Sequence, residues 1–212
     1  LESVIEFGKK RKLEFVDGPV GFSNMDKAGL LIEGYEELNT MITWYHYPYQ
    51  KEHLKKLGFS KLAEWVEYKI KIFSAEDAPE KVKKFSKIIQ QRYELKVLNF
   101  KSRKEIVPYV DKMFELLNVT YSNLQTYVTI KQYQIDFYKE KFIKYIHPDF
   151  IKCCLDKDDN LIAFLITMPS FSRALKKING KMGLMGYLRL FKAQHFNDRV
   201  SLYLIGVDPK YQ

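Results

Sequence analysis

The stretch that decides the fold lies at residues 201–212 and reads SLYLIGVDPKYQ. Its first part is apolar and rich in residues that favour strands. Pro209 ends this run at a turn, because proline cannot donate a hydrogen bond to a sheet. We therefore expect a strand that leads directly into a tight turn, and the rest of the chain has to supply the elements against which it packs.

The composition is that of a globular chain. Of its 212 residues, 46% are hydrophobic and 15% aromatic, which is too apolar for a disordered protein. The longest apolar run, Leu161 to Met168, is far shorter than the roughly twenty residues that span a bilayer. The chain starts without Met, and its apolar residues have helical spacing from Val4 onward. These features predict an internal segment of a longer protein. The adjacent Cys153 and Cys154 suit neither an ordinary disulfide nor a metal site, which favours a reduced, cytoplasmic location.

The chain is basic, with 35 Lys and Arg against 26 Asp and Glu and a net charge of +9. Such an excess can serve nucleic acid, an anionic membrane surface or a phosphorylated cofactor. The basic residues are spread along predicted helices and form no single stripe with interleaved aromatic residues. This pattern is typical of solvated helix surface, and nucleic-acid binding is kept as an alternative whose affinity would fall steeply with salt.

Residues 1–75 predict a helix, a strand, a second helix and a second strand. The helices are expected at 4–12 and 48–57, and a short strand at 13–16. Residues 65–72 alternate apolar and charged side chains, which is the period of a half-buried strand.

From residue 76 onward the predicted order is a helix, a strand, two helices, a β-hairpin, two further helices and the final strand. An Asp-rich and Asn-containing turn at 156–160 favours the hairpin, because these residues tolerate positive φ. The corresponding ranges are 80–93, 95–100, 103–118, 129–145, 150–155, 161–168, 170–177, 185–194 and 201–207.

Two motifs resemble a known family. The segment from Asp17 to Tyr35, DGPVGFSNMDKAGLLIEGY, and the terminal VDPKYQ are similar to a Bacteroidetes-type family of acetyltransferase-like proteins. That family is related to bacterial ceramide synthase-like acyltransferases and to the GNAT N-acetyltransferases, whose fourth strand resembles residues 201–207. The resemblance covers essentially the whole chain.

The resemblance implies an α/β (α+β) fold with a mixed, mostly antiparallel sheet flanked by helices, spanning parts of two tandem acyltransferase-like units. Residues 1–75 would be the back half of a first unit, 76–93 a helical linker, and 94–212 the front half of a second unit that ends before the pyrophosphate loop. In an alternative arrangement, the two halves complete a single sheet.

The resemblance also implies acetyl-CoA or a longer acyl-CoA as co-substrate, with direct transfer of the acyl group to an amine and no metal. The backbone of Leu204, Ile205, Gly206 and Val207 would bond the pantetheine arm. Gln212 would occupy the first position of the phosphate-binding loop.

Catalytic groups are less evident, because two positions depart from the family pattern. Leu54 stands where a tyrosine could protonate the departing thiolate, so Tyr47 or Tyr49 would have to take that role. The final strand lacks a carboxylate that could act as general base. Asp198 and His195 could act there only through water, and we interpret both as surface residues.

A polar cluster in the Gly-rich loop after residue 16 is the candidate acceptor site, since such loops commonly carry function. Carboxylates there could attract a cationic amine and take its proton, so Asp17 and Asp26 are candidate catalytic residues. Asn24, Glu33 and Tyr35 are candidate substrate ligands. A self-capped structural loop is the alternative.

The expected partner is a small-molecule or lipid-like amine. The basic, amphipathic segment 170–196 could also contact an anionic membrane surface. A non-catalytic module that keeps the fold and binds a ligand or partner remains the alternative to an enzyme. The four histidines, which are His46, His53, His147 and His195, lack metal-ligand spacing.

Overall fold

The structure is a computed structural model that describes residues 1–23, 25–72, 74, 76–124, 127–142 and 146–212. Its helices are α1 (Glu2–Lys10), α2 (Pro48–Lys56), α3 (Glu80–Arg92), α4 (Arg103–Tyr121), α5 (Gln132–Phe142), α6 (Ser172–Ile178) and α7 (Leu184–His195). Its strands are β1 (Lys96–Asn99), β2 (Ile151–Leu155), β3 (Leu161–Pro169) and β4 (Val200–Val207). Short 3₁₀ turns lie at Pro148–Phe150 and Pro209–Tyr211.

The strands form a 4-stranded sheet in the order β1-β2-β3-β4, and every pair is antiparallel. One row across the sheet consists of Leu98, Cys153, Phe164 and Gly206. Antiparallel neighbours can be joined by a short turn or by a segment that contains helices. Both kinds of connection fit the predicted order of elements. The expected fold class, an α/β structure with an antiparallel sheet flanked by helices, is confirmed.

The turn between β2 and β3 is organised by one carboxylate. Oδ1 of Asp156 accepts the backbone N–H groups of Asp158 and Asn160, each over 2.9 Å. Asp159 has a φ of 60°, the left-handed conformation that aspartate tolerates. The hydrogen bond from the Asn160 backbone holds the pKa of Asp156 below its usual range.

Helix α4 provides more of the buried core cluster than any other element. Its apolar positions recur every three or four residues, so they form one stripe that meets the inward side chains of β2 and β3. The buried cluster includes Ile106, Val110, Met113, Leu116 and Leu117 from α4, together with Phe100, Ile130, Ile135, Ile151, Cys153 and Phe164. Met25, from the N-terminal third of the chain, packs against this cluster.

Two predicted strands are wrong. Neither 13–16 nor 65–72 forms a strand in the structure. In 65–72, Tyr68 and Ile70 are each 78% exposed. An alternating pattern specifies a strand only when another edge pairs with its backbone, and no such pairing occurs among the described residues.

Other boundaries shift by a few residues. The predicted helix at 129–145 begins at Gln132, and residues 143–145 lie outside the described part of the chain. Helix α4 continues to Tyr121, beyond the predicted end at Asn118. None of the helices in the described ranges has the length and apolarity needed to cross a membrane.

Candidate functional site

Strand β4 lies at an edge of the sheet and carries a bulge. Ile166 pairs with Leu204 and Thr167 with Leu202, which leaves Tyr203 as the extra residue. A bulge increases the local twist and bends an edge strand, and such irregularities are frequent beside functional sites.

The backbone groups of Ile205 and Val207 face away from β3. The Asp208 N–H donates to the Ile162 carbonyl over 2.8 Å, so even-numbered residues after the bulge are directed toward β3 and odd-numbered ones toward the open edge. The Tyr121 hydroxyl donates to the Ile205 carbonyl over 3.1 Å. Nε2 of Gln212 donates to the Val207 carbonyl over 2.9 Å. The outward carbonyls are therefore bonded by side chains, and the outward N–H groups of Ile205 and Val207, which have no partner among the described residues, are left for an extended ligand.

Gly206 is required by packing within the sheet. A Cβ on Gly206 would lie 2.6 Å from Cε1 of Phe164, which is buried in the core. A side chain here would separate β3 from β4 and displace the backbone on both sides of Gly206. Gly206 therefore keeps the edge groups of Ile205 and Val207 in place.

The end of β4 is fixed to the rest of the sheet. The Asp208 carboxylate accepts the Lys210 N–H over 2.9 Å, which closes the turn at Pro209–Tyr211. The Tyr211 hydroxyl lies 3.3 Å from Oδ2 of Asp156, and the Tyr211 ring contacts that of Tyr93 at 5.7 Å. Gln212 is thus held at the carboxyl end of the edge strand.

The Gly-rich loop folds around Ser23 and Asp26. The Ser23 N–H donates to Oδ2 of Asp26 over 3.0 Å, and the Met25 N–H donates to Oγ of Ser23 over 3.2 Å. A Cβ on Gly21 would lie 2.2 Å from Cβ of Asp26. Only glycine at position 21 therefore leaves room for the Asp26 carboxylate.

Helix α5 is held beside this loop by polar contacts to α4. The Lys139 ammonium lies 2.7 Å from Oδ2 of Asp111, and it holds the pKa of that carboxyl below its usual range. Asn118 accepts the Ile130 N–H over 2.9 Å and donates to the Ile130 carbonyl over 3.1 Å. The rings of Phe114 and Tyr138 stack with centroids 5.9 Å apart.

A cavity of about 470 Å³ that is open to solvent lies between the loop and α5, and two of its lining residues, Phe22 and Tyr133, are 96% and 73% exposed. This volume is within the range of roughly 300–1,000 Å³ usual for small-molecule sites. Ser23 is 7% exposed, and its Oγ is 3.4 Å from the Tyr138 hydroxyl, which joins the two walls. The lining residues are Phe22, Ser23 and Asp26 from the loop and Tyr133, Gln134, Phe137 and Tyr138 from α5.

Helix α4 connects the cavity with the edge of β4. Phe114 stacks on Tyr138 of the cavity wall, and Tyr121 binds the Ile205 carbonyl. These two α4 residues are two turns apart, which is roughly 10 Å along a helix axis. The cavity wall and the open edge of β4 therefore both contact α4, about two helical turns apart.

Of the predicted acceptor residues, Asp26 lines the cavity, and Asn24 lies outside the described residues. Asp17 is half-buried, and Glu33 is exposed. The Tyr35 hydroxyl donates to the Leu31 carbonyl over 3.1 Å, which ties Tyr35 to its own loop. The structure therefore brings Asp26, and not Asp17, Glu33 or Tyr35, together with the cavity.

The candidate catalytic tyrosines lie in a row of exposed rings. Tyr47 and Tyr49 stack at 6.0 Å, and the row continues to Tyr45 at 5.6 Å and to His53 at 5.2 Å. Tyr47 and Tyr49 are 60% and 56% exposed. Neither belongs to the lining of the cavity.

The aromatic wall from α5 is the part of the site that sequence reasoning missed. In the sequence, Tyr133, Phe137 and Tyr138 belong only to the predicted helix 129–145. The available signal was the number of aromatic residues on this helix. Because Ile135 is directed toward the core, one buried face cannot also hold all three rings.

Other reactive groups in the described part of the chain provide neither a thiolate at neutral pH nor a metal centre. Burial raises the pKa of the Cys153 thiol to about 12 and also raises that of Cys154, so both are protonated at neutral pH. In the described ranges, no group of three or more His, Cys, Asp or Glu side chains is arranged to hold a metal ion.

Comparison with known proteins gives one distant relative. The chain is 22% identical to protein YghO of Escherichia coli (strain K12) over 203 residues, which is 93% of this chain and 50% of the relative. The chain thus spans about half the length of the curated relative that it matches. No family model matches the chain, and no solved structure matches it.

Proposed function

We propose that the protein is an acyl-CoA-dependent N-acyltransferase that transfers an acyl group directly to an amine. The observation that carries this proposal is the bulged edge strand β4, whose outward backbone N–H groups at Ile205 and Val207 can donate to an extended amide chain. The pantetheine arm of CoA has that form. The resemblance of residues 201–212 to the fourth strand of GNAT proteins points to the same ligand.

In the proposed reaction, the acyl-CoA thioester lies along β4 and the amine approaches from the side of the cavity. The amine nitrogen bonds to the thioester carbonyl carbon, the carbon–sulfur bond breaks, and the sulfur leaves as the thiolate of CoA, which then takes up a proton. The protein contributes mainly by positioning the two substrates. The Asp26 carboxylate is the group that would attract the ammonium form and accept its proton.

The test is calorimetry of the full-length protein with acetyl-CoA and with a long-chain acyl-CoA. Ile205→Pro removes the outward N–H of the edge strand, a place where proline is tolerated, and should weaken acyl-CoA binding about tenfold. Ile205→Val keeps the N–H and is the matched control. Absence of binding to either acyl-CoA would end the proposal, provided that circular dichroism shows a folded protein.

A non-catalytic binding module is the second candidate. It is favoured by Leu54 at the expected tyrosine position and by a β4 sequence, from Val200 to Val207, without any carboxylate. Under this alternative the protein binds acyl-CoA without turning it over. Product formation from acyl-CoA and an amine that disappears in Asp26→Asn would exclude it.

Contact with an anionic membrane is a further proposal, and the outward face of α7 supports it. Leu184, Leu188 and Phe191 follow one another on this face, and each is exposed. Arg189 and Lys192 are exposed on the same helix, and Lys192 lies one turn after Leu188, so apolar and basic groups are presented together. This arrangement is typical of helices that lie on a membrane surface, and it would suit a lipid-like amine acceptor.

A further inference from the structure

Residues 64–72, with the sequence EWVEYKIKI, form an exposed segment that pairs with no strand in the described part of the chain. From residue 60 to residue 72 the chain has no helix, turn or bend. The backbone N–H and C=O groups of this stretch have no hydrogen-bond partner among the described residues. The large apolar side chains from Trp65 to Ile72 are each at least 64% exposed. Unpaired backbone groups in such a row are a template for another strand.

The segment has the two-sided pattern of a strand, because alternate side chains of a strand point to opposite sides. The apolar row consists of Val66, Tyr68, Ile70 and Ile72, and the charged row consists of Glu67, Lys69 and Lys71. The apolar row is stabilised only by contact with another apolar row. The charged row determines which strand can lie beside it.

We propose that this segment pairs in antiparallel orientation with the same segment of a second copy of this chain, about a two-fold axis at Tyr68. In this register Glu67 lies opposite Lys69 of the second copy, and Lys69 lies opposite Glu67 of the second copy. Opposite charges directly across an antiparallel pair are favourable, and like charges are unfavourable. Two-fold symmetry forms the favourable pair twice.

The same register also matches the other side chains. Val66 lies opposite Ile70 of the second copy, and Tyr68 meets its own counterpart at the axis, so the apolar row of one copy continues into that of the other. On the charged side, Trp65 lies opposite Lys71 of the second copy, and an ammonium group attracts the face of an indole ring.

Charge selects this register over its neighbours. An antiparallel pairing about Lys69 would place two lysines opposite each other, and one about Glu67 would place two carboxylates opposite each other. An in-register parallel pairing would bring every charge beside an equal charge. A shift by a single residue would set the apolar row of one copy against the charged row of the other. The register about Tyr68 avoids all of these conflicts.

The association should be weak, because a two-stranded ribbon alone is only marginally stable. We expect a Kd of about 50 µM, as for a small transient interface. Protein at about 1 µM should therefore be monomeric, with residues 64–72 open to solvent and to proteases. The pairing requires neither acyl-CoA nor an amine, so it is independent of the proposed function.

Sedimentation equilibrium of the full-length protein between about 1 and 200 µM tests the pairing, since the mean mass should rise toward that of a dimer. Lys69→Glu sets like charges opposite each other at both pairs and should weaken association more than about tenfold. Glu67→Lys combined with Lys69→Glu exchanges the two charges and should restore the Kd to within about threefold. Lys157→Glu, which makes the same change of charge on the exposed β2–β3 turn, should leave the Kd unchanged.

Disulfide trapping tests the position of the axis. Tyr68→Cys places a thiol opposite the same thiol of the second copy, and glutathione disulfide should oxidise this pair to a covalent dimer. Ile70→Cys, which lies opposite Val66 of the second copy, is the matched control and should crosslink at least about tenfold more slowly. The native cysteines, buried Cys153 and half-buried Cys154, are the same in both variants.

Three results would overturn the inference: a mass that stays monomeric up to about 200 µM, a charge exchange that fails to restore association, or equal crosslinking at positions 68 and 70. Hydrogen-exchange protection of residues 66–70 that does not depend on protein concentration would also overturn it, since the partner strand would then belong to the same chain.

Discussion

At the scale of single residues, Asp156 shows how one carboxylate organises a turn. Its oxygens accept two backbone N–H groups and the Asn160 side-chain amide, and Oδ2 also lies near the Tyr211 hydroxyl. These bonds favour the charged carboxylate. The turn therefore links the β2–β3 hairpin to the end of β4, where the proposed CoA site lies.

This arrangement predicts a pH dependence of stability. Because the folded-state pKa of Asp156 is lowered, its contribution is fully present above the unfolded pKa of about 4 and is lost as pH falls through the lower folded value. In Asp156→Asn this dependence should be flatter between about pH 5 and pH 3. Urea unfolding midpoints measure it. Asp158→Asn, whose side chain accepts no bond in the turn, should retain the slope of the unmodified protein.

At the scale of elements, α7 is the clearest case of a helix with an unusual surface. Gly186 is buried on its inner side, whereas Leu188 and Phe191 are exposed on the opposite side. The sequence already indicated a basic amphipathic segment at 170–196. The structure adds that the apolar face of α7 is directed outward.

Vesicle binding tests this surface. Replacing Leu188 and Phe191 by serine removes two large apolar groups, each worth about 1.5–3 kcal/mol when fully buried, so binding to phosphatidylglycerol vesicles should fall more than about tenfold. Cosedimentation measures it. The exposed Tyr68 and Ile70, replaced in the same way, are the control pair. Equal binding to neutral phosphatidylcholine vesicles would contradict a role for the basic residues.

At the scale of the whole molecule, the core and the sheet belong to residues 96–207. Residues 60–72 contain no helix or strand, and their apolar side chains are largely exposed. The loop around Met25 nevertheless packs against the core. The N-terminal part of the chain thus contributes to the cavity through this loop.

Proteolysis should reveal this difference in order. We expect trypsin to cleave after Lys69 or Lys71 about a hundredfold faster than after Lys152 in β2, since cleavage of a paired strand requires local unfolding. Mass spectrometry of timed digests gives the order of cleavage. Strong hydrogen-exchange protection of residues 66–70 would contradict it and would show that the alternating segment does form a strand.

The sequence by itself determined the elements whose causes are local. The β2–β3 hairpin, α4 and β4 follow from alternation, helical spacing and turn residues close in the chain, and all three were predicted to within a few residues. The same local pattern failed at 65–72, because alternation does not supply a partner strand. The binding of a ligand by the β4 backbone stays a prediction from the resemblance, whereas the bonds from Tyr121 to the Ile205 carbonyl and from Gln212 to the Val207 carbonyl were not predicted.

Only the tertiary structure decided which residues form the cavity. Ser23 and Tyr138 are 115 positions apart, yet their hydroxyl groups meet. Such a contact depends on how α5 packs on α4 and how Met25 anchors its loop, and no periodicity in the sequence encodes a distance between remote segments. For this reason Asp26 could be named from the sequence, whereas the aromatic wall beside it appeared only once the chain was folded.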